Sequence, residues 1–194
     1  QQWTHFAPML MVMGMLLFFV PGLRSTAAVF VIMGSLTACA VMLFLTVKQN
    51  LIFNQVMLLA AMLFLIGNLL WAFGIPLSEV VLFWASFVML TIFGERLELT
   101  RMMPISKFQF FLVKTFIVFL VAGNLLSLVS ITLGSYIYTL SLIALTLWFA
   151  KNDIARRTIK LQGQPKFTAV GLFFGYFWSI VGALVLLIGG FQPS

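Results

Sequence analysis

The stretch LSEVVLFWASFVMLTIFGERLELTR, residues 77–101, decides the fold. Between Glu79 and Glu95 it contains no charged residue, and four charges then fall within the seven positions from Glu95 to Arg101. A long apolar run is typical of a helix buried in lipid or protein, and a charged end is typical of the point where such a helix reaches water. We therefore predict a buried helix with a polar exit.

The composition of the whole chain favours lipid as the surroundings of this helix. Of its 194 residues, 63% are hydrophobic and 8% are charged, whereas ordinary globular domains have about 25% charged residues. A water-soluble fold of this size could not cover its surface with so few charges. We predict an all-α integral membrane bundle of about seven transmembrane helices, forming a single domain over residues 1–194. The predicted spans are 6–22, 27–47, 51–73, 78–95, 108–132, 135–150 and 168–190.

The basic residues predict the orientation of these spans. When the connections are assigned to alternate sides, with a turn at Gly134–Ser135 on the outer side, ten of the eleven Lys and Arg residues fall on one side and Arg24 on the other. Cytoplasmic loops carry the excess of Lys and Arg in membrane proteins. We predict a multi-pass protein of the bacterial inner membrane, with a cytoplasmic N-terminus and an external C-terminus. The net charge of +7 is then a matter of topology, and we expect no nucleic-acid partner.

A short internal similarity suggests a repeat. The sequence GNLL occurs at residues 67–70 and again at 123–126, an offset of 56 residues. Spans three–four and five–six then resemble two parallel copies of a helical hairpin. Asn68 and Asn124 fall inside these spans, where a carboxamide forms an interhelical hydrogen bond or lines a polar binding site. Glu79, at the outer start of the fourth span, either stabilises the helix N-terminus or takes up a cation or proton as part of that site.

The polar exits predict a second site, which we term the charged-exit surface. Residues 94–101 and 150–157 correspond under the same offset, and each segment ends in arginine. We expect Asp153 to pair with Arg156 or Arg157 there. This surface is either a structural exit alone or a cytoplasmic contact surface for a partner. Its members are Glu95, Arg96, Glu98, Arg101, Asp153, Arg156 and Arg157.

Few residues offer catalytic or metal chemistry. Cys39 is the only cysteine and His5 the only histidine, so the chain alone cannot supply bis-histidine haem ligation. His5 is either a packing residue or a ligand completed by another chain. Met9 and Met13 share a helix face, which suits packing and also Cu(I). We predict no enzyme activity, no catalytic residues, no cofactor and no metal site.

In the last span, Gly171 and Gly175 match GxxxG and with Gly182 predict a helix that docks on a neighbour.

The two exits also carry a family resemblance. The segments ERLEL (95–99) and DIARRT (153–158), with the apolar runs around them, resemble an uncharacterised family of bacterial polytopic membrane proteins that is distantly similar to the NnrS-type haem–copper membrane proteins. The resemblance implies a further helical hairpin, with a histidine-containing motif, ahead of the region seen in this chain. Any haem or metal function of NnrS relatives would rest on histidines that this sequence does not contain.

Three functions follow as hypotheses. The first is a non-catalytic accessory or scaffold subunit of a larger membrane protein complex, whose partners are the lipid bilayer and other membrane subunits. The second is a small-molecule or lipid transporter or binder, with a polar site between the hairpins. The third is a haem- or copper-associated redox membrane protein that shares its site with another chain.

Overall fold

The computed structural model describes residues 6–100 and 103–189, and in this part of the chain it is helical without strands. The prediction of an all-helical fold is therefore confirmed for these residues. His5 and Arg101 lie outside them. The helices are α1 (Phe6–Phe18), α2 (Arg24–Lys48), α3 (Ile52–Ala72), α4 (Leu77–Thr100), α5 (Lys107–Ser127), α6 (Ile131–Asn152), α7 (Ala155–Thr158) and α8 (Gln164–Gly189).

Six of the described helices are long and apolar enough to cross a membrane, namely α2, α3, α4, α5, α6 and α8. The first predicted span is different, because the described part of α1 has 13 residues and extends ~20 Å, against a hydrocarbon thickness of ~30 Å. The chain turns after it, and Gly22 has a φ of 85°, which glycine adopts without strain. The fourth helix continues beyond its predicted end to Thr100, so Glu95 and Glu98 lie on a helix.

The predicted turn at Gly134–Ser135 is wrong. The connection between α5 and α6 lies at residues 128–130, and both predicted turn residues are buried inside α6. A Cβ atom on Gly134 would overlap the backbone of Ser127 on α5. Glycine is required here because two helix backbones meet, and helices approach this closely only at their smallest residues.

The chain forms two compact units, residues 1–94 and 95–194, which are described separately. In the N-terminal unit, α1 packs on α2 and α2 packs on α3. Gly14 faces Val31, and Gly34 faces Met11, so glycines again form the contact between α1 and α2. The start of α4 packs on α3, where the rings of Phe64 and Phe87 stack with centroids 4.4 Å apart.

In the C-terminal unit, α6 is the central helix. It packs on α5 and on α8, and α7 packs on α8. Gly123 on α5 would place a Cβ 2.5 Å from the backbone nitrogen of Tyr138 on α6, so the two backbones are in direct contact. The core side chains in this unit include Val113, Leu120, Tyr138, Leu145, Phe149, Ala169 and Tyr176.

Candidate functional site

A buried carboxylate terminates α6. The backbone of Asp153 is extended (φ −71°, ψ 146°), which ends the helix, while its N–H still donates to the carbonyl of Phe149 at 2.8 Å. Its Oδ1 accepts a hydrogen bond of 2.9 Å from the N–H of Ala155, the first residue of α7. Asp153 is fully buried, with 0% exposure. Such burial of a carboxylate is costly unless hydrogen bonds and opposite charge compensate for it.

The second oxygen of this carboxylate binds a tyrosine of α8. The hydroxyl of Tyr176 donates to Asp153 Oδ2 at 2.5 Å, and Tyr176 is itself 4% exposed. Tyr176 is the thirteenth of the 26 residues of α8, which is long and apolar enough to span a membrane. Asp153 therefore lies level with the middle of that helix. Buried charged residues are usually paired within the protein.

Arg96 on α4 brings positive charge to the same cluster. Its charge acts electrostatically on the Tyr176 hydroxyl. Its Nε atom is buried and has no hydrogen-bond partner among residues 6–100 and 103–189. An arginine beside a carboxylate–phenol pair lowers the cost of burying the negative charge. Asp153 and Tyr176 are buried and Arg96 is half-buried, and we term these three residues the buried polar cluster. It joins the end of α4, the α6–α7 connection and α8 within the C-terminal unit.

The buried polar cluster fixes α7 and the two arginines on it. Ala155 is 2% exposed, whereas Arg156 and Arg157, the next residues in the chain, are exposed. The guanidinium of Arg156 donates to the carbonyl of Lys151 at 3.0 Å. Because Asp153 holds the N–H of Ala155, the short helix presents both arginines outward.

The structure divides the predicted charged-exit surface. Glu95, Glu98, Arg156 and Arg157 are exposed as expected, and Arg101 lies outside the described residues. The predicted place of Asp153 on this exposed surface is wrong, because Asp153 is fully buried and accepts hydrogen bonds from Tyr176 and Ala155. The reason is that its hydrogen-bond partner comes from a helix later in the chain, while its charged neighbours in sequence face outward.

Asn68 occupies a tight contact between α3 and α4. Its Oδ1 accepts a hydrogen bond of 3.0 Å from the indole N–H of Trp84, and the residue is 1% exposed. The Nδ2 group of Asn68 is buried and has no hydrogen-bond partner in the part of the chain that the structure describes. Beside it, a Cβ atom on Gly67 would lie 2.9 Å from Phe83 Cβ and 3.0 Å from Trp84. The bond to Trp84 fits the expected interhelical hydrogen bond, and it uses the oxygen of the Asn68 amide but not its nitrogen.

Asn124 and Glu79 have different surroundings. Asn124 is fully buried on α5, and its Nδ2 donates to the carbonyl of Leu120 at 3.4 Å within the same helix. Glu79 is half-buried in the first turn of α4, and its N–H donates to the carbonyl of Pro76. Asn68 and Glu79 belong to the N-terminal unit and Asn124 to the C-terminal unit.

The described residues contain no group of three or more His, Cys, Asp and Glu side chains that could hold a metal ion. Met9 and Met13 are 63% and 49% exposed on α1. Both methionine side chains therefore lie on the surface of the described chain.

Sequence reasoning missed two residues of these sites, Tyr176 and Trp84. A usable signal for Tyr176 was its spacing of seven from Ala169 and from Ala183, since these three residues form the buried stripe of α8. An isolated tyrosine on such a stripe needs a partner for its hydroxyl. Trp84 had no comparable signal, because its partner is on the preceding helix.

Comparison with protein families gives one result. The model of a family described as a domain of unknown function (DUF8744) matches residues 1–194. Comparison with curated proteins and with solved structures gives no significant match.

Proposed function

The chain belongs to the DUF8744 family, and we propose that it is a non-catalytic accessory or scaffold subunit of a larger membrane protein complex. The observation that carries this proposal is the outward display of Arg156 and Arg157 on a helix held in place by the buried Asp153–Tyr176 bond. Two exposed arginines that a buried carboxylate holds in place are suited to bind an acidic partner. Arginine is enriched in protein interfaces, where its planar group binds carboxylates with two hydrogen bonds.

The membrane orientation in this proposal rests on the connections between helices. If α2, α3, α4, α5, α6 and α8 all cross the bilayer, then the ends of α2, α4 and α6 face one side whether or not α1 crosses. Lys48, Lys107 and Lys151 lie at those ends or at the helix start that follows. The excess of cations on this side favours the cytoplasm. The proposal places the charged-exit surface there, and counts α1 as a seventh span.

The contacts of two glycines support the proposed hairpin repeat. Gly67 meets the following helix at Phe83, and Gly123 meets the following helix at Tyr138, which are separations of 16 and 15 residues. In both hairpins a buried asparagine comes next in the chain, Asn68 or Asn124. Repeated hairpins of this kind are common in membrane proteins.

The open glycines of α8 also support a partner. Six glycines in α1 to α6 contact neighbouring helices, whereas a Cβ atom on Gly171, Gly175 or Gly182 would meet nothing within 4 Å. Small residues at this spacing allow another transmembrane helix to approach closely. The expected docking of these glycines on a neighbour is therefore not met inside the described chain, and we assign it to a partner subunit.

Charge reversal tests the proposal. The tagged protein would be purified from its native membrane in a mild detergent, as wild type, as Arg156→Glu/Arg157→Glu, and as Lys160→Glu, a control with an exposed cation three residues further on. We expect a complex larger than this chain alone, lost in the double variant and kept in the control. A wild-type chain that runs alone, or a complex that survives reversal of both arginines, would refute the proposal.

One observation favours a second candidate function, a small-molecule or lipid binder. Asn68 has a buried amide donor that no described residue binds, and a polar group of a ligand could accept its hydrogen bond. Asn68→Leu and Asn124→Leu would be compared for folding and for ligand retention. Loss of a co-purifying small molecule in a folded Asn68→Leu protein supports binding, and loss of folding in that variant supports packing alone.

A further inference from the structure

The start of α5 bears a basic groove that is separate from the partner contact proposed at Arg156 and Arg157. Ser106 and Gln109 form a capping box, in which the Gln109 N–H donates to Ser106 Oγ at 3.2 Å and the Ser106 N–H donates to Gln109 Oε1 at 3.4 Å. These two bonds fix the first turn of the helix. Beside this turn lies a surface groove of about 320 Å³, lined by Ile105, Lys107, Phe110, Phe111 and Lys114.

Two lysines bracket the groove along one helix face. Lys107 and Lys114 are seven residues apart, or two helical turns, which places them on the same side of α5 about 10 Å apart along its axis. Both are exposed. Phe111 lies between them and is 64% exposed. None of the five lining residues is acidic, so the lining itself holds two positive charges and no negative one.

The position of the groove fits the boundary between lipid headgroups and acyl chains. Lys107 is the first residue of a helix that is long and apolar enough to cross a membrane, and Lys114 lies two turns further in. A lysine at that depth extends its ammonium group back toward the headgroups. The two ammonium groups can then converge near the level of lipid phosphates, while Phe111 offers an apolar contact for an acyl chain.

We infer that this groove binds an anionic phospholipid, with Lys107 and Lys114 on the phosphate and Phe111 along an acyl chain. A groove of this size is within the range of small-ligand sites. The two uncompensated charges favour a headgroup with net negative charge, because a zwitterionic headgroup brings its own cation toward the lysines. This inference rests on the proposed placement of α5 in the bilayer, and it is independent of the partner proposed at Arg156 and Arg157.

Native mass spectrometry of the detergent-solubilised full chain tests the inference, with phosphatidylglycerol or phosphatidylcholine added at equal concentration. Since each surface lysine contributes about 1 kcal/mol toward anionic lipid, removing two weakens binding on the order of thirty-fold. The test variant is Lys107→Gln/Lys114→Gln. The matched control is Lys48→Gln. Lys48 is also an exposed lysine at a helix end, and its Nζ lies 6.0 Å from the ring centroid of Phe44, but it does not line the groove on α5.

We expect one phosphatidylglycerol adduct on the wild type and on Lys48→Gln, and its loss in the double variant. Lys107→Arg/Lys114→Arg should retain it, which separates the role of charge from any effect on folding. Equal binding of phosphatidylcholine, an unchanged adduct in the double glutamine variant, or displacement of the lipid by millimolar inorganic phosphate would overturn the inference. These results leave the test at Arg156 and Arg157 unaffected, because the two experiments change different residues and measure different partners.

Discussion

Removing one hydroxyl from Tyr176 gives the most direct test of the buried polar cluster. In Tyr176→Phe the ring remains, with its edge contact to Phe173 at 6.1 Å between centroids, and only the donor to Asp153 Oδ2 is lost. One oxygen of a fully buried carboxylate then has lost its donor. Hydrogen bonds to charged groups contribute about 1.5–3 kcal/mol. We expect Tyr176→Phe to lower the free energy of unfolding by about 2 kcal/mol, roughly a thirty-fold change in the folded-to-unfolded ratio.

The measurement is unfolding in mixed micelles of increasing SDS fraction, followed by the helical circular dichroism signal. Tyr136→Phe is the matched control, because Tyr136 is on α6 and 41% exposed, and surface substitutions usually change stability by less than about 0.5 kcal/mol. Uncharged interhelical hydrogen bonds in membranes average about 0.6 kcal/mol. A loss for Tyr176→Phe no larger than that average, or equal to the control, would refute our assignment of a buried charge that depends on this hydroxyl.

A second readout in the same variant concerns α7. Loss of the Asp153–Tyr176 bond should let the segment at Arg156 and Arg157 open locally, without unfolding the rest of the C-terminal unit. Limited trypsin digestion of the folded protein should therefore cut at these arginines faster in Tyr176→Phe than in Tyr136→Phe. Equal rates of cleavage would mean that the tyrosine does not hold α7 in place.

Three further predictions concern packing and helix ends. Gly134→Ala should lower the free energy of unfolding by about 1–3 kcal/mol, because the added Cβ meets the rigid backbone of Ser127. Gly182→Ala, where the added Cβ enters open space, should leave that free energy unchanged or raise it by up to about 1 kcal/mol. Unfolding in SDS compares the two variants. Cys39 is 9% exposed on α2, so a maleimide should label it slowly in the folded protein and fast after unfolding; fast labelling in the native state would contradict this burial. Ser106→Ala removes the cap of α5 and should cost about 1 kcal/mol, measured in the same SDS titration.

The helices could be predicted from the sequence because each needs a long apolar run with polar residues at its ends, and both features are local in the chain. Long apolar runs bounded by charge or by turn residues predicted six membrane-compatible helices that the structure contains. The predicted end of the fourth span at residue 95 was too early, because α4 continues to Thr100 with Glu95 and Glu98 exposed on it. The prediction also failed at Gly134–Ser135, where a glycine beside a serine indicates a turn as readily as a close helix contact. The deciding contact is with Ser127, seven residues earlier on another helix.

The site was harder to predict than the fold because its partners are distant in the chain. Asp153 stands among charged residues that are exposed, and its neighbours in sequence gave no reason to bury it. Its partner Tyr176 is 23 residues further on and in a different helix. Arg96 approaches from a third helix. A charged residue in a polar loop is usually exposed. Asp153 is buried because α8 packs against α6 and brings Tyr176 to it.

The glycines of α8 show what a small-residue motif can and cannot indicate. The buried stripe of this helix is Ala169, Tyr176 and Ala183, and Gly175 points about 100° away from the neighbouring Tyr176 because successive helical residues turn by that angle. The glycine face is thus separate from the face that binds α6 and the buried polar cluster. A glycine-lined surface lets a second helix approach closely and form many van der Waals contacts, whereas it offers lipid chains little extra contact. In the proposed complex, a chain that fixes one face of α8 with a buried carboxylate and leaves glycines on another would hold a helix of a partner in a defined position.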